Sequence, residues 1–225
     1  MPLPMVHLAV AVTMLPDLQD PRAPGFLLGS LAPDAIHMRP GWTPDDKRRV
    51  HLFLSSTDIT DGAQDAARAL LVHWREQGVA LGPLQVRYAT HVLTDLLWRA
   101  RVWFPLRSSL PADMDYAQGR ALYYRETDEI DREIFETAPW RDQVWRLLAE
   151  AQPADVPGMV SVTEIALWRK RTLGWFDHLA PAVVPPRYLT TGDVLAFAEH
   201  AAVQVLAWLE DWNCWPPPAD ERCAT

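Results

Sequence analysis

Residues 88–98, YATHVLTDLLW, place a histidine and an aspartate four residues apart inside an otherwise apolar run. Positions i and i+4 of an α-helix lie on one face, so we expect His91 and Asp95 to project side by side. An imidazole and a carboxylate are costly to bury alone, and both bind divalent metal ions. The pattern therefore predicts a helix over residues 83–104 that carries part of a metal site.

Helical signals dominate the rest of the chain, and no segment alternates apolar and polar residues as a half-buried strand does. Apolar periodicity and capping residues predict further helices at residues 4–14, 60–77, 111–136, 139–151, 161–179 and 191–212. Two prolines and a glycine predict an irregular loop over residues 37–46. We expect an all-α, single-domain multi-helix bundle over residues 1–215, followed by a disordered tail at 216–225.

The composition restricts the classes of partner. The chain has 225 residues, of which 49% are apolar and 22% are charged, with a formal net charge of −8. This charge argues against stable nucleic-acid binding, whereas a phosphate ester can still bind where dications reverse the local field. Most of the eleven tryptophans are expected in the core, with a few lining a pocket.

The sequence predicts neither a transmembrane helix nor a signal peptide. It has no run of 18 apolar residues, and the apolar stretch at residues 1–15 has no lysine or arginine ahead of it. We therefore expect a cytoplasmic protein.

Three further residues are candidate metal ligands, and each also has a purely structural interpretation. His7 can be a hydrogen-bonded core histidine, Asp34 can cap a turn, and His51 can be a surface residue at a helix edge. The motifs HExxH, GxSxG, GxGxxG and the Walker loop are absent. Because a zinc site needs three or four ligands, and mixtures of histidine and aspartate are typical of catalytic sites, these residues together favour a metal centre.

Four segments carry a family resemblance through their order and spacing. They are MVHL at residues 5–8, FLLGSLAPD at 26–34, HLF at 51–53 preceded by Lys47, and HVLTDLLW at 91–98. Together they resemble the zinc-dependent phospholipase C family, which is related to the fungal single-strand nucleases. The resemblance covers residues 5–135, is shared with short bacterial members of unknown substrate, and implies that family's helical fold.

The resemblance also implies a set of ligands. Asp34, His51 and His91 would hold one zinc ion. Asp95 would bind the same ion and bridge to a second one, which His7 also binds. Family members place a carboxylate next to the attacking water, so Asp34 is the expected general base.

The family's third metal site matches this chain only in part. Asp128, with Asp131 near it, corresponds to the acidic part of that site, whereas Arg99 and Arg101 stand where histidines are expected. We therefore predict Asp128 as a further ligand and one or two zinc ions rather than three. Arg99 or Arg101, about one turn beyond Asp95, is predicted to bind the substrate phosphate, although a solvated helix face is the simpler interpretation.

Three functions follow as hypotheses. The first is a zinc-dependent phosphodiesterase of the phospholipase C type, which cleaves a small phosphoester or a phospholipid head group with a metal-activated water. The second is an enzyme like the single-strand nucleases. The third is a non-catalytic helical protein that keeps the metal for stability or binds a partner.

Overall fold

The computed structural model describes residues 3–15, 17–51, 72, 76, 83–177 and 185–211. This part of the chain is all-α, as predicted, and its only β-type pairing is an isolated bridge between Val156 and Val160. The predicted tail lies outside the described residues, as does the predicted helix at 60–77 apart from residues 72 and 76. The elements in chain order are α1 Pro4–Met14, α2 Ala23–Gly29, a 3₁₀ helix Ala32–Met38, α3 Pro44–Val50, α4 Pro83–Trp98, a π segment Arg99–Trp103, α5 Phe104–Ser109, α6 Tyr116–Thr137, α7 Arg141–Glu150, α8 Val162–Leu173 and α9 Thr191–Asp211.

Helix α1 lies at the centre of the core. Nine of its eleven residues are buried, and it packs against α2, α4, α6 and α9. A helix that is apolar on all faces is stable only when neighbours cover every face. Its first turn has no side-chain cap of its own, and Oδ2 of Asp131 on α6 accepts a hydrogen bond from the Met5 amide at 3.1 Å. Neither α1 nor any other described helix is long and apolar enough to cross a membrane.

Local capping decides where several helices begin. Capping boxes pair Thr43 with Asp46 before α3, Asp115 with Gln118 before α6, and Ser161 with Glu164 before α8. The first of these starts a helix inside residues 37–46, where the prediction of an irregular loop is therefore wrong in part. The second delays the start of the helix predicted from residue 111, and Gly174 ends α8 earlier than predicted.

The single helix predicted over residues 83–104 is interrupted. Helix α4 ends at Trp98, and a π segment separates it from α5. Pro105 has no amide hydrogen to donate to the carbonyl of Arg101, so a regular α-turn cannot be completed there. The wider π turn accommodates this loss.

Helix α8 packs against the 3₁₀ helix, which also contacts α2, α3 and α4. Arg39, directly after the 3₁₀ helix, donates to Oε1 of Glu164 at 2.6 Å and to the carbonyl of Met159 at 2.8 Å. These contacts join the end of the 3₁₀ helix to the start of α8, and thereby fix two walls of the site described next.

Candidate metal centre

Five of the six predicted ligands converge in the core. They come from α1, the 3₁₀ helix, the end of α3 and α4, and are His7, Asp34, His51, His91 and Asp95. The Asp34 side chain is 13% exposed, and the other four are at most 1% exposed. The interpretation of His51 as a surface residue is therefore wrong. Two groups of ligand atoms, His7–His91–Asp95 and Asp34–His51–His91, each lie within 4.8 Å of one another, and either group could hold a metal ion.

The two carboxylates face the Nε2 atoms of the three histidines. His51 Nε2 lies 3.3 Å from Asp34 Oδ1 and 3.7 Å from Asp95 Oδ2. His91 Nε2 lies 3.9 Å from Asp34 Oδ2 and 3.7 Å from Asp95 Oδ2, and His7 Nε2 lies 3.6 Å from Asp95 Oδ1. Ligands of a tetrahedral zinc ion with bonds of about 2 Å are about 3.3 Å apart, so these separations are close to those of a metal site.

Backbone carbonyls orient two of the imidazoles. His91 Nδ1 lies 2.8 Å from the carbonyl oxygen of Ser30, and His51 Nδ1 lies 3.1 Å from that of Lys47. A carbonyl can only accept, so each Nδ1 carries the proton and each Nε2 keeps its lone pair. This is the arrangement in which protein histidines bind metals.

Burial keeps the histidines neutral. It lowers the pKa of His7, His51 and His91 below the ordinary value of 6.5, and it outweighs the neighbouring carboxylates, which raise the pKa of each. At neutral pH all three rings are therefore uncharged and can donate a nitrogen lone pair to a cation.

The two carboxylates differ in their pKa. Burial raises the pKa of Asp95 to about 6, and the nearby His91 offsets only part of that effect. Burial also acts to raise the pKa of Asp34, but the nearby charges, that of Lys47 foremost, hold it well below its usual range. Asp34 is thus ionised at neutral pH, and Asp95 is the carboxylate whose charge the buried site tolerates least.

Several buried polar atoms at the centre have no hydrogen-bond partner among the described residues. They are both ring nitrogens of His7, Nε2 of His91 and both carboxylate oxygens of Asp95. Leaving a buried polar atom unpaired costs about 1–3 kcal/mol. A dication would bind these lone pairs and stabilise the ionised form of Asp95. The donor set therefore fits a metal ion.

The sixth predicted ligand does not join the cluster. Asp128 is exposed, because the inward stripe of α6 passes through Thr127 and Asp131 and leaves Asp128 to one side. The buried acid is Asp131, which caps α1 two residues before His7. Asp128 thus lies outside both ligand groups, and Asp131 is the residue of α6 that holds α1.

The two arginines predicted to bind phosphate lie in the π segment. Arg99 is half-buried, with its guanidinium 5.6 Å from the centre of the Phe104 ring, and Arg101 is exposed. Neither lines the cavity that reaches the centre. For Arg101, the exposed position agrees with the simpler interpretation of a solvated face.

A cavity of about 380 Å³ opens beside Asp34, which is the one member of the cluster that lines it. The polar lining residues are His37, Lys47 and Arg171, and the aromatic ones are Trp42, Tyr124, Trp168 and Trp175. The expectation that a few tryptophans line a pocket is confirmed. The sequence placed Lys47 four positions before His51, on the same helical face, but did not predict that it lines a cavity. No sequence signal predicted that Arg171 does so.

No family model, no curated protein and no solved structure matches the chain. What the centre does must therefore follow from the chemistry of its own residues.

Proposed function

We propose that the protein is a zinc-dependent hydrolase of phosphoesters, of the phospholipase C type that the sequence resembles. One observation carries the proposal: three neutral imidazoles and two carboxylates converge at the end of a cavity, and one of those carboxylates lines it. Catalytic zinc sites combine histidine and carboxylate ligands with an open position, whereas structural sites are closed and usually contain cysteine.

We infer one or two zinc ions. Asp34, His51 and His91 would hold the first. Each imidazole offers one free nitrogen, so His91 can bind only one ion, and a second ion must share a carboxylate. Asp95 suits this role because its two oxygens face different histidines, Oδ1 towards His7 and Oδ2 towards His51 and His91.

The five ligands would act on two sides of the centre, an outer side where Asp34 lines the cavity and an inner side where the other four are buried. Zinc, when bound, supplies a water that is acidic near neutral pH and polarises a phosphoryl oxygen. Asp34 faces both the cluster and the cavity, so its ionised carboxylate can orient the attacking water and accept its proton. The burial of the other four ligands excludes bulk water from the inner side.

A metal ion that only stabilises the fold is the second candidate. The burial of four of the five ligands favours it. The cavity at Asp34 favours catalysis, because a structural ion needs no open side.

The test combines metal analysis with a substrate panel. Protein dialysed against metal-free buffer should retain one or two zinc ions per chain by mass spectrometry, and should hydrolyse a phosphodiester in a reaction that a chelator stops and zinc restores. Zinc without hydrolysis of phosphodiesters, phospholipids or single-stranded DNA would support the structural ion instead. Cleavage of single-stranded DNA alone would support the nuclease, and activity in the absence of metal would contradict both metal-dependent enzymes.

A further inference from the structure

The cavity beside Asp34 is a positively charged region in an acidic chain. Lys47 and Arg171 line it, whereas the net charge of the chain is −8. Among the described lining residues Asp34 is the one carboxylate, and its charge already faces His51 and His91. A concave surface with excess positive charge concentrates anions.

Lys47 has a hydrogen-bond donor to spare. Its Nζ lies 2.8 Å from Nε2 of His37 and 3.4 Å from Oδ1 of Asp34. An ammonium group can only donate, so Nε2 of His37 accepts this hydrogen bond from Lys47. An ammonium has three N–H donors, and these two contacts leave the third for an anion beside Asp34.

The guanidinium of Arg171 lies beside two tryptophan rings. It lies over the rings of Trp168 and Trp175, 5.6 Å and 5.4 Å from their centres. It forms no hydrogen bond or ion pair with any residue in the described part of the chain. Contacts with aromatic rings use none of the N–H groups in hydrogen bonds, so these groups are left for a bidentate contact with a carboxylate or a phosphate.

The two cations lie on helices that both pack against the 3₁₀ helix, Lys47 on α3 and Arg171 on α8. Arg171 belongs to α8, and the contacts of Arg39 with Glu164 and with the Met159 carbonyl join α8 to the 3₁₀ helix that carries Asp34. Rigid elements on both sides are what a preorganised binding site requires.

We propose that Lys47 and Arg171 form an anion-binding site that selects substrates with a negative charge outside the phosphoryl group that is cleaved. Lys47 would contact the phosphoryl oxygens beside Asp34, and Arg171 would bind a second anionic group, a carboxylate or a phosphate, farther along the cavity. A quaternary ammonium head group would be disfavoured, because the charge of Arg171 repels it and Arg171 already lies over the rings of Trp168 and Trp175. The identity of the reacting group rests on the proposed function.

The first test measures binding of inorganic phosphate by calorimetry, in the chelator-treated and in the zinc-loaded protein. Lys47→Gln and Arg171→Gln should each weaken binding about tenfold. Arg48→Gln and Lys170→Gln are the matched controls and should change it less than about twofold, because neither side chain lines the cavity and their charges act on it only through screening solvent. Arg48 pairs with Asp45, and Lys170 lines a separate groove. Arg171→Lys, which keeps the charge, should recover part of the affinity.

If the control variants weaken phosphate binding as much as Lys47→Gln and Arg171→Gln do, the effect comes from overall charge and the proposal is overturned. Phosphate binding that neither Lys47→Gln nor Arg171→Gln alters would also overturn it. Thermal unfolding of each variant shows whether the fold is intact. The chelator-treated arm needs no metal and no turnover, so it decides the anion site even if the protein proves not to bind zinc.

The second test compares two p-nitrophenyl phosphodiesters, one of choline and one of glycolate, which share a leaving group and differ in the charge of the other substituent. The glycolate ester should have a kcat/KM at least about tenfold higher than the choline ester, because one hydrogen bond to a charged group contributes about that much. Arg171→Gln should reduce this ratio to near unity. A preference for the choline ester, or a ratio that Arg171→Gln leaves unchanged, would overturn the proposal. If neither ester is hydrolysed, the proposed function fails and phosphate binding alone decides the anion site.

Discussion

The imidazole rings of His7 and His91 stack in parallel in the core, with their centres 3.8 Å apart and their planes 8° apart. His7 comes from α1 and His91 from α4. Two charged rings could not share this buried position, and burial lowers the pKa of both. The stack therefore places the neutral imidazole of His7 beside the carboxylate of Asp95. The pair His91 and Asp95 on α4 thereby becomes a group of three possible ligands.

Asp95→Ala is expected to remove metal and activity together, because both oxygens of this carboxylate face histidines of the cluster. Loss of a direct ligand should weaken zinc binding by about 100-fold or more, since even residues that only support a ligand contribute 10–100-fold. Mass spectrometry of the dialysed variant measures the metal. Asp128→Ala removes an exposed carboxylate outside the cluster and should keep its zinc. Stoichiometric zinc in Asp95→Ala would refute the ligand set.

Zinc binding should weaken as the pH falls below about 6. Burial raises the pKa of Asp95 in the metal-free protein to about 6, so below this pH a proton occupies the carboxylate and must leave when the metal binds. The association constant should fall about tenfold per pH unit in that range and vary little between about pH 7 and 8, where the histidines are already neutral. Competition with a chromophoric chelator, calibrated at each pH, measures the constant. A constant that stays level from about pH 5 to 8 would count against Asp95 as a ligand.

Gly29→Ala should destabilise the fold more than Gly25→Ala, although both glycines face Arg87. A β-carbon at residue 29 would lie 2.5 Å from Cβ of Arg87, which cannot move without its backbone, whereas one at residue 25 would meet only the flexible guanidinium. Overpacking of the first kind costs about 1–3 kcal/mol. It would also displace the Ser30 carbonyl that orients His91, so zinc affinity should fall with stability. Urea unfolding compares the two variants, and equal stabilities would contradict the expected clash.

The Arg39–Glu164 pair should make stability depend on pH on the acid side. Burial acts to raise the pKa of Glu164, but hydrogen bonds from Arg39 and Ser161 outweigh it and lower the pKa below 4.5. A carboxyl group of this kind stabilises the fold above its unfolded pKa, and the contribution is lost as the pH falls through the folded pKa. Glu164→Gln should therefore unfold about 2 kcal/mol more easily than the parent at neutral pH. This difference in the free energy of unfolding should shrink as the pH falls from about 5 to 3. Urea unfolding at several pH values measures it, and a difference that does not change with pH would contradict the role of the pair.

Local signals predicted much of the fold. Helices α1, α7 and α9 lie within two residues of the bounds expected from apolar periodicity and capping. The failures are also local in origin. Around residues 37–46 the prolines and glycine suggested a loop, and the Thr43–Asp46 capping box starts a helix there instead. After Trp98 the apolar pattern continued, and Pro105 interrupted the α-helix that it predicted.

The sequence by itself determined one relationship at the centre, that His91 and Asp95 share a helical face, because residues four apart are related by the geometry of a single helix. Only the tertiary structure decided that His7 stacks on His91, that α6 turns Asp131 rather than Asp128 inward, and that Arg171 reaches the cavity. Contacts between helices depend on which faces pack together to bury the apolar surface of the whole chain. No spacing along one segment contains that information.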